Sequence, residues 1–210
     1  MPRRNSVPHR STLLDLLQTY AGLYPEEQQR IERFRSFVER CPDCFERTLL
    51  EGHVTGSAFI LSRDQQRLLL THHRKLNAWL QPGGHADGDP DVLAVALREA
   101  HEESGIADLA VLDHQILDID IHRIPERVVK NDAGMVIRTE PEHLHYDVRF
   151  ALHAHRDETL TVSEESHDLA WVPLDRLADH DCDESILRMA GKWQGADKRP
   201  ERVRGFKRKP

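Results

Sequence analysis

The chain has 210 residues, of which 36 are acidic and 29 basic, and its formal net charge is −7. This length suits one domain of generous size, or one domain with an extension. The acidic charge argues against a general affinity for long nucleic acids, whose phosphates attract basic surfaces. The sequence has no apolar run of the roughly 18 to 20 residues that cross a membrane, and its first ten residues lack a signal-peptide core. Three cysteines do not make a disulfide framework, so we expect a reducing, cytoplasmic location.

Two helices are predicted at the start of the chain, in a helical N-terminal extension over residues 1–50. The first begins at Ser11 and ends near Gly22. The second covers residues 25–39, and its spacing predicts one buried face. That face consists of Ile31, Phe34, Phe37 and Val38. We expect this pair to pack against the main domain, although a cover for the substrate or a homodimer interface stays open.

Cys41 and Cys44 are separated by two residues, a spacing that occurs in zinc sites. A structural zinc needs four ligands, however, and Cys182 is the one remaining cysteine. We therefore interpret residues 41–44 as a turn between the extension and a sheet, because Pro42 ends the preceding helix.

A β-hairpin is predicted next, with strands over residues 54–61 and 67–71 and a polar turn between them. The cationic run over residues 72–75 follows this hairpin and lies upstream of the acidic helix described below. Its side chains either meet substrate phosphates or belong to a solvated loop. We expect Trp79 and Leu80 to contribute to the core.

Residues 83–106 combine a glycine turn with a helix that has clear end signals. Asp89 is predicted to cap this helix and Pro90 to occupy its first turn, where a missing N–H costs nothing. Gly105 suits the left-handed position after the last turn. The predicted apolar stripe consists of Leu93, Ala96, Leu97 and Ala100. Three glutamates fall on neighbouring positions three and four apart, namely Glu99, Glu102 and Glu103.

Like charges at this spacing destabilise a helix by roughly 0.2 to 0.5 kcal/mol per pair, so helix stability alone does not explain the three glutamates. A divalent cation reverses the sign of that interaction. Mg²⁺ takes oxygen ligands and usually binds through a few carboxylates together with the phosphates of a substrate. The alternative interpretation is a solvated acidic face. The glycine turn beside the glutamates favours the metal site.

The spacing of these residues resembles the signature of the Nudix hydrolases. That signature runs Gly, five residues, Glu, seven residues, Arg-Glu, two residues, Glu-Glu, one residue, Gly and an aliphatic residue. The positions that fall in register are Gly84, Arg98, Glu99, Glu102, Glu103, Gly105 and Ile106. Pro90 stands where the family has its first glutamate, which is a structural partner of the signature arginine. Asp89 or Asp91 is available to replace that partner.

The resemblance implies an α/β fold for residues 51–190, with a mixed sheet sandwiched between helices. It implies Mg²⁺-dependent hydrolysis, with Mn²⁺ as an alternative ion, of a phosphoanhydride in a nucleoside diphosphate linked to another group. The metal ligands would be Glu99, Glu102 and Glu103, joined by the backbone carbonyl of Gly83. Arg98 would orient the glutamates, and the substrate would be a small-molecule diphosphate.

Two other classes of protein share the resembled fold. One is an isomerase of an allylic diphosphate, which is expected to use a cysteine in its cleft, but no cysteine lies between Cys44 and Cys182. The other is a non-catalytic nucleotide sensor, in which the acidic trio is expected to degenerate. The intact trio of this chain argues against a sensor.

Two further strands are predicted after the helix. Residues 116–124 alternate between apolar and polar side chains, so one face is expected to be buried. Residues 143–153 show the clearest alternation of the chain, with an apolar face opposite His143, His145, Asp147 and Arg149. The two histidines either bind metal or phosphate, or lie on a half-exposed strand. Residues 126–141 suit a loop or a short hairpin near the active site.

A loop over residues 163–167 precedes the last predicted strand, residues 169–172. Members of the resembled family often place an additional carboxylate outside the signature. Glu165 is our candidate, as a metal ligand or as the base for the attacking water, whereas Glu164 is predicted to point the other way. Short helices are predicted over residues 173–178 and 184–190. A basic tail over residues 191–210 follows, either solvated or in contact with a partner.

Overall fold

The structure is a computed structural model that describes residues 10–74, 76–131, 133–164, 166–180 and 182–196. Its α-helices within this part of the chain are α1 (Ser11–Leu23), α2 (Gln28–Arg40), α3 (Val92–Ser104) and α4 (Glu184–Ala196). The strands of the first half are β1 (Gly52–Leu61), β2 (Arg67–His73), β3 (Ala78–Leu80) and β4 (Gly83–His85). Those of the second half are β5 (Leu109–Val111), β6 (Asp118–Ile124), β7 (Arg127–Lys130), β8 (Val136–Glu140), β9 (His143–Ala154) and β10 (Ser166–Pro173). Short 3-10 helices occupy Pro25–Glu27 and Leu174–Asp179.

A mixed sheet forms the centre of the described part of the chain. Its main path runs β10, β2, β1, β9 and β5, while β3, β4 and β6 pair with β2, β1 and β9. β1 and β9 run parallel over their whole length, from Gly52 opposite Leu144 to Leu61 opposite His153. The other pairs are antiparallel. β7 and β8 form a separate hairpin, which agrees with the predicted short hairpin over residues 126–141.

Helices cover both faces of the sheet. Because side chains alternate between faces along a strand, neighbouring residues of β1 pack in different clusters. Val54 packs with the side chains of α1, α2 and α3, whereas Phe59 and Leu61 pack with those of α4. The predicted α/β fold, a mixed sheet between helices, is confirmed. No helix of the described residues is both long and apolar enough to cross a bilayer.

The two N-terminal helices pack onto the sheet. The predicted buried face of α2 is confirmed, since all four of its apolar residues are at most 3% exposed. Phe37 stacks on Tyr146 of β9 with ring centroids 3.8 Å apart and an angle of 2° between the rings. Burying side chains of this size contributes roughly 1.5 to 3 kcal/mol each. The extension therefore shares a core with the sheet.

Two expectations about the later elements were wrong. The strand β9 is not half-exposed along its length, because Asp147 and Arg149 on its polar face are at most 2% exposed, while His143 and His145 at its start are partly exposed. The helix predicted to end near residue 190 continues to Ala196, and Lys192 in its last turns makes buried ion pairs. Residues 191–196 thus belong to α4, and because residues 197–210 lie outside the described part, the basic tail stays a prediction.

Candidate active site

The helix that carries the acidic trio begins two residues later than predicted. Asp91, not Asp89, is its N-cap, and the Asp91 side chain accepts a hydrogen bond from the Ala94 N–H at 3.0 Å. Asp89 instead accepts from the Asp91 N–H at 2.9 Å, so Pro90 stands before the helix. At the other end, Gly105 adopts the predicted left-handed conformation with φ of 71°. The predicted helix is thus confirmed, and its cap is corrected.

The buried face of α3 also differs from the predicted stripe. Ala96 and Ala100 are buried as expected, but Val92 and Val95 replace Leu93 and Leu97, which are only partly buried. This rotation places Glu103 on the buried face, where it is 6% exposed. Glu103 therefore points toward the sheet rather than into solvent.

Two of the three glutamates meet the glycine turn. The Gly83 N–H donates to Glu103 Oε1 at 3.0 Å. The Glu99 carboxylate lies against Gly84, since a Cβ at that glycine would stand 2.4 Å from Glu99 Oε2 and 2.5 Å from its carboxyl carbon. Any side chain at residue 84 would displace this carboxylate. Glu102, by contrast, is exposed on the helix.

Arg98 connects the helix to the strand of the glycine turn. Its Nη2 donates to Glu99 Oε1 at 3.0 Å and to the carbonyl oxygen of His85 at 2.9 Å. Asp89 and Asp91, the proposed replacements for the missing signature glutamate, are instead engaged at the helix start. A backbone carbonyl therefore takes the place of that carboxylate.

The loop before β10 lies at the carboxyl end of α3. The Thr161 N–H donates to the Ser104 carbonyl at 2.9 Å, and a Cβ at Gly105 would stand 2.5 Å from the Thr161 side chain. Glu164 of this loop is exposed. Glu165, the predicted fourth acid, lies outside the described residues. Its role stays a prediction.

A buried ion network adjoins the glycine turn through Ser57, which pairs with Gly83 across β1 and β4. The Ser57 hydroxyl donates to Asp147 Oδ1 at 2.7 Å, and Arg149 Nε donates to Asp147 Oδ2 at 2.7 Å. Arg149 also reaches Asp118 at 3.2 Å, and Arg188 of α4 reaches Asp118 at 2.8 Å. This network ties α4 to the strands that carry the site.

Asp118 and its neighbour Asp120 are held in their charged form. Burial by itself raises the pKa of Asp118, but the hydrogen bond from Arg188 and the charges of Arg149 and Lys192 hold that pKa below its usual range. Burial likewise raises the pKa of Asp120, and the hydrogen bond from His122 and the Arg149 charge lower it further than burial raises it. Asp118 and Asp120 therefore stabilise the fold as carboxylates.

His143 and His145 lie on the same sheet face as this network, and sequence reasoning missed the histidines that join them there. His53 of β1 is opposite His145 of β9, and His122 of β6 is also opposite His145. His85 of β4 brings a fourth strand to the group, with its ring centroid 5.1 Å from that of His145. One clue was available, namely that His53 alternates with Thr55 and Ser57 in an otherwise apolar strand. This alternation indicates a histidine cluster only once the pairing of β1 with β9 is known, because that pairing places His53 opposite His145.

The cationic run upstream of the glycine turn packs against β10. Arg74 donates to the Ser166 carbonyl at 2.9 Å, and His72 stacks on Trp79 with ring centroids 5.0 Å apart. Trp79 and Leu80 are partly buried, so their expected core role is met only in part. Lys75 lies outside the described residues.

The structure thus brings Gly83, Arg98, Glu99 and Glu103 to one place, with Glu102 exposed beside them. Paired carboxylates at a glycine turn can hold a hard cation, and an arginine that bonds one of them can fix its orientation. Whether these residues bind metal or act in catalysis stays a prediction.

Known proteins resemble part of this chain. A family model described as NUDIX domain matches residues 52–190. The Danio rerio protein "m7GpppN-mRNA hydrolase NUDT17" is 39% identical over 64 residues, a match that covers 28% of this chain. The chain spans 21% of the length of that curated relative.

Two solved structures show a looser likeness. A C. elegans Ap4A hydrolase binary complex is 15% identical, with a TM-score of 0.47 over 69% of this chain and 97% of the other. A NUDIX family hydrolase from Clostridium perfringens is 25% identical, with a TM-score of 0.47 over 66% of this chain and 93% of the other.

Proposed function

The chain belongs to the Nudix family and is a Nudix-type hydrolase, since the family model matches more than half of it, and from this premise we propose a pyrophosphohydrolase. The proposed reaction is the Mg²⁺-dependent hydrolysis of a phosphoanhydride in a nucleoside diphosphate linked to another group. The observation that carries the proposal is the meeting of the Glu99 and Glu103 carboxylates at Gly83 and Gly84. Mn²⁺ is the alternative ion.

The donor set fits a hard divalent cation. Carboxylate and carbonyl oxygens are the ligands that Mg²⁺ prefers, and Gly84 leaves the space that the Glu99 carboxylate fills. We propose Glu99, Glu102, Glu103 and the Gly83 carbonyl as the ligands. Without a cation, the mutual repulsion of these carboxylates would oppose their approach. Bound there, Mg²⁺ supplies charge neutralisation for the diphosphate and lowers the pKa of a bound water.

The protein's own residues orient the site. The Gly83 N–H holds the Glu103 carboxylate, and Arg98 holds that of Glu99 while it bonds the His85 carbonyl. Such fixed contacts reduce the reorganisation that the site needs when substrate binds. Arg98 therefore acts in this proposal as a positioning residue that does not touch substrate.

The base for the attacking water is proposed to be Glu165. Support comes from Thr161, earlier in the same segment, whose N–H donates to the Ser104 carbonyl at the carboxyl end of α3. A carboxylate within hydrogen-bond reach of the water can take its proton as the anhydride breaks.

The partner in this proposal is a small-molecule diphosphate, with no role for a membrane or for long nucleic acid. A cytoplasmic location and a homodimer stay predictions. The candidate substrates contain the same anhydride and differ in their leaving group. They are nucleotide sugars, dinucleotides, oxidised nucleotides and non-nucleotide diphosphates. The match to a decapping hydrolase adds a short m7GpppN-capped RNA to these candidates.

A hydrolysis screen over that panel tests the proposed function. The full-length chain is incubated with each compound in Mg²⁺, in Mn²⁺ and in excess chelator, and the products are separated and identified. We expect cleavage at a phosphoanhydride of at least one compound, with metal and not with chelator. Products that retain every anhydride, or cleavage that continues in chelator, would contradict the proposal.

A further inference from the structure

Histidines from four strands meet at one end of the sheet face that carries the ion network. The members of this histidine cluster among the described residues are His53, His85, His122, His143 and His145. His53 lies at its centre, with its ring centroid 5.0 Å from His85, 5.0 Å from His143 and 4.8 Å from His145. The cluster gathers imidazoles, whereas the glycine turn gathers carboxylates.

Two histidines of the cluster carry buried nitrogens with unmet hydrogen-bonding capacity. His53 is 2% exposed, and neither of its ring nitrogens has a hydrogen-bond partner among the described residues. The same holds for Nε2 of His145. A buried polar group left without a partner destabilises the folded state. A metal ion that binds the unprotonated nitrogen of each ring would satisfy that nitrogen's lone pair.

The third histidine is set in the tautomer that a metal needs. His143 Nδ1 is 2.8 Å from the Pro141 carbonyl oxygen. A carbonyl oxygen only accepts, so this nitrogen carries the proton and Nε2 keeps its lone pair. A histidine that binds metal through one nitrogen typically donates from the other to a carbonyl or carboxylate.

We propose that His53, His143 and His145 form a site for a transition-metal ion of the Zn²⁺ class, separate from the carboxylates of the signature helix. One ligand atom from each of the three lies within 4.8 Å of the others. In a tetrahedral zinc site the nitrogens are about 3.3 Å apart, as bonds of about 2.0 to 2.1 Å require. The proposal therefore requires the partly exposed His143 and His145 side chains to move by up to about 1.5 Å relative to His53 when the ion binds.

The chemistry of the cluster selects against Mg²⁺. Imidazole nitrogens suit Zn²⁺, Cu²⁺ and Ni²⁺, whereas Mg²⁺ takes oxygen ligands. Three ligands leave a fourth tetrahedral position for water or another group. The ion would join β1 to β9 at the start of their parallel pairing, where His53 lies opposite His145.

Cobalt spectroscopy tests this site directly. The full-length chain, without a histidine tag and stripped of metal, is titrated with Co²⁺ in excess Mg²⁺, which occupies any carboxylate site. We expect one equivalent of Co²⁺ to give the intense visible absorption of a tetrahedral ion, and Zn²⁺ to displace it. His143→Ala and His145→Gln should each weaken Zn²⁺ binding at least about 100-fold, more than the loss of an outer-shell partner costs.

Two control variants separate this site from the alternatives. His114→Ala removes an exposed histidine outside the cluster, and Glu103→Gln removes a carboxylate of the glycine turn. Both should bind Co²⁺ and Zn²⁺ as the wild type does. His143 is partly exposed at the first position of β9, so its variant should fold, which circular dichroism checks. A weak octahedral spectrum, a band that Glu103→Gln abolishes, or unchanged Zn²⁺ affinity in folded His143→Ala and His145→Gln would overturn the proposal.

Discussion

Gly84→Ala perturbs the candidate site through a single methyl group. The added Cβ would stand 2.4 Å from Glu99 Oε2, whereas ordinary contact begins at 3.4 Å, so the carboxylate must move by about 1 Å. A displacement of about 1 Å in a catalytic constellation costs about 100-fold in rate. The obstructing atoms belong to the end of a flexible side chain, so the loss of unfolding free energy should be about 1 kcal/mol, the low end of the cost of overpacking. We therefore expect a large loss of turnover with little loss of stability.

Steady-state kinetics and urea unfolding measure the two effects on the same protein. The substrate is the best compound of the hydrolysis panel, at saturating Mg²⁺. Gly22→Ala is the matched control, because nothing lies within 4 Å of its added Cβ. This control should keep wild-type turnover and gain up to about 1 kcal/mol in helix α1. Wild-type turnover and Mg²⁺ affinity in Gly84→Ala would refute the placement of Glu99 at the site.

Three further results are expected. Arg149→Met should lower the unfolding free energy, measured in urea, by about 3 to 5 kcal/mol, because the substitution leaves buried carboxylates unpaired. The control Arg156→Met, on the surface, should change the unfolding free energy by less than about 0.5 kcal/mol. The lowered pKa of Asp118 means that its stabilisation is present above about pH 4 and is lost as pH falls further. Urea midpoints between pH 5 and 2 should therefore fall, and more steeply in the wild type than in Arg149→Met. Glu165→Gln should lower turnover with substrate affinity little changed, whereas Glu164→Gln should leave turnover unchanged. Equal, wild-type-like kinetics for both variants would remove this loop from the mechanism.

Local patterns predicted the helices well. The buried face of α2 depends on residues three and four apart in one segment, so Phe34 and Phe37 could be assigned from spacing alone. The cap of α3 was missed because both aspartates beside Pro90 have the chemistry of a cap. Which aspartate caps the helix depends on the conformation of the backbone before it, and in the structure Asp91 accepts the hydrogen bond from the Ala94 N–H.

Contacts between distant segments could not be predicted in the same way. The polar face of β9 looked half-exposed because the residues that bury it, such as Asp118 and Arg188, lie on other elements. The histidine cluster depends on the register that places His53 opposite His145. Spacing within one strand indicates which of its residues share a face, but not which residues of a distant strand lie opposite them.

The arrangement of the signature residues could be predicted from the sequence only in part. Their spacing along one helix predicted that Glu99, Glu102 and Glu103 share a patch, and the match to the family fixed their register. The structure adds that Glu103 is buried and bonded to Gly83 while Glu102 is exposed. The difference arises from the rotation of α3 on the sheet, which Val92 and Val95 set by packing in the core.

The turnover of Glu103→Gln tests the central claim most directly. The amide oxygen of glutamine can still accept from the Gly83 N–H, so the contact and the fold should remain while the charge is lost. We predict that turnover at saturating Mg²⁺ falls at least about 100-fold, since several kcal/mol of transition-state stabilisation depend on the bound metal, with an unchanged urea midpoint. Glu39→Gln, an exposed glutamate of α2, should leave turnover unchanged. Wild-type turnover in folded Glu103→Gln would contradict hydrolysis through this carboxylate site.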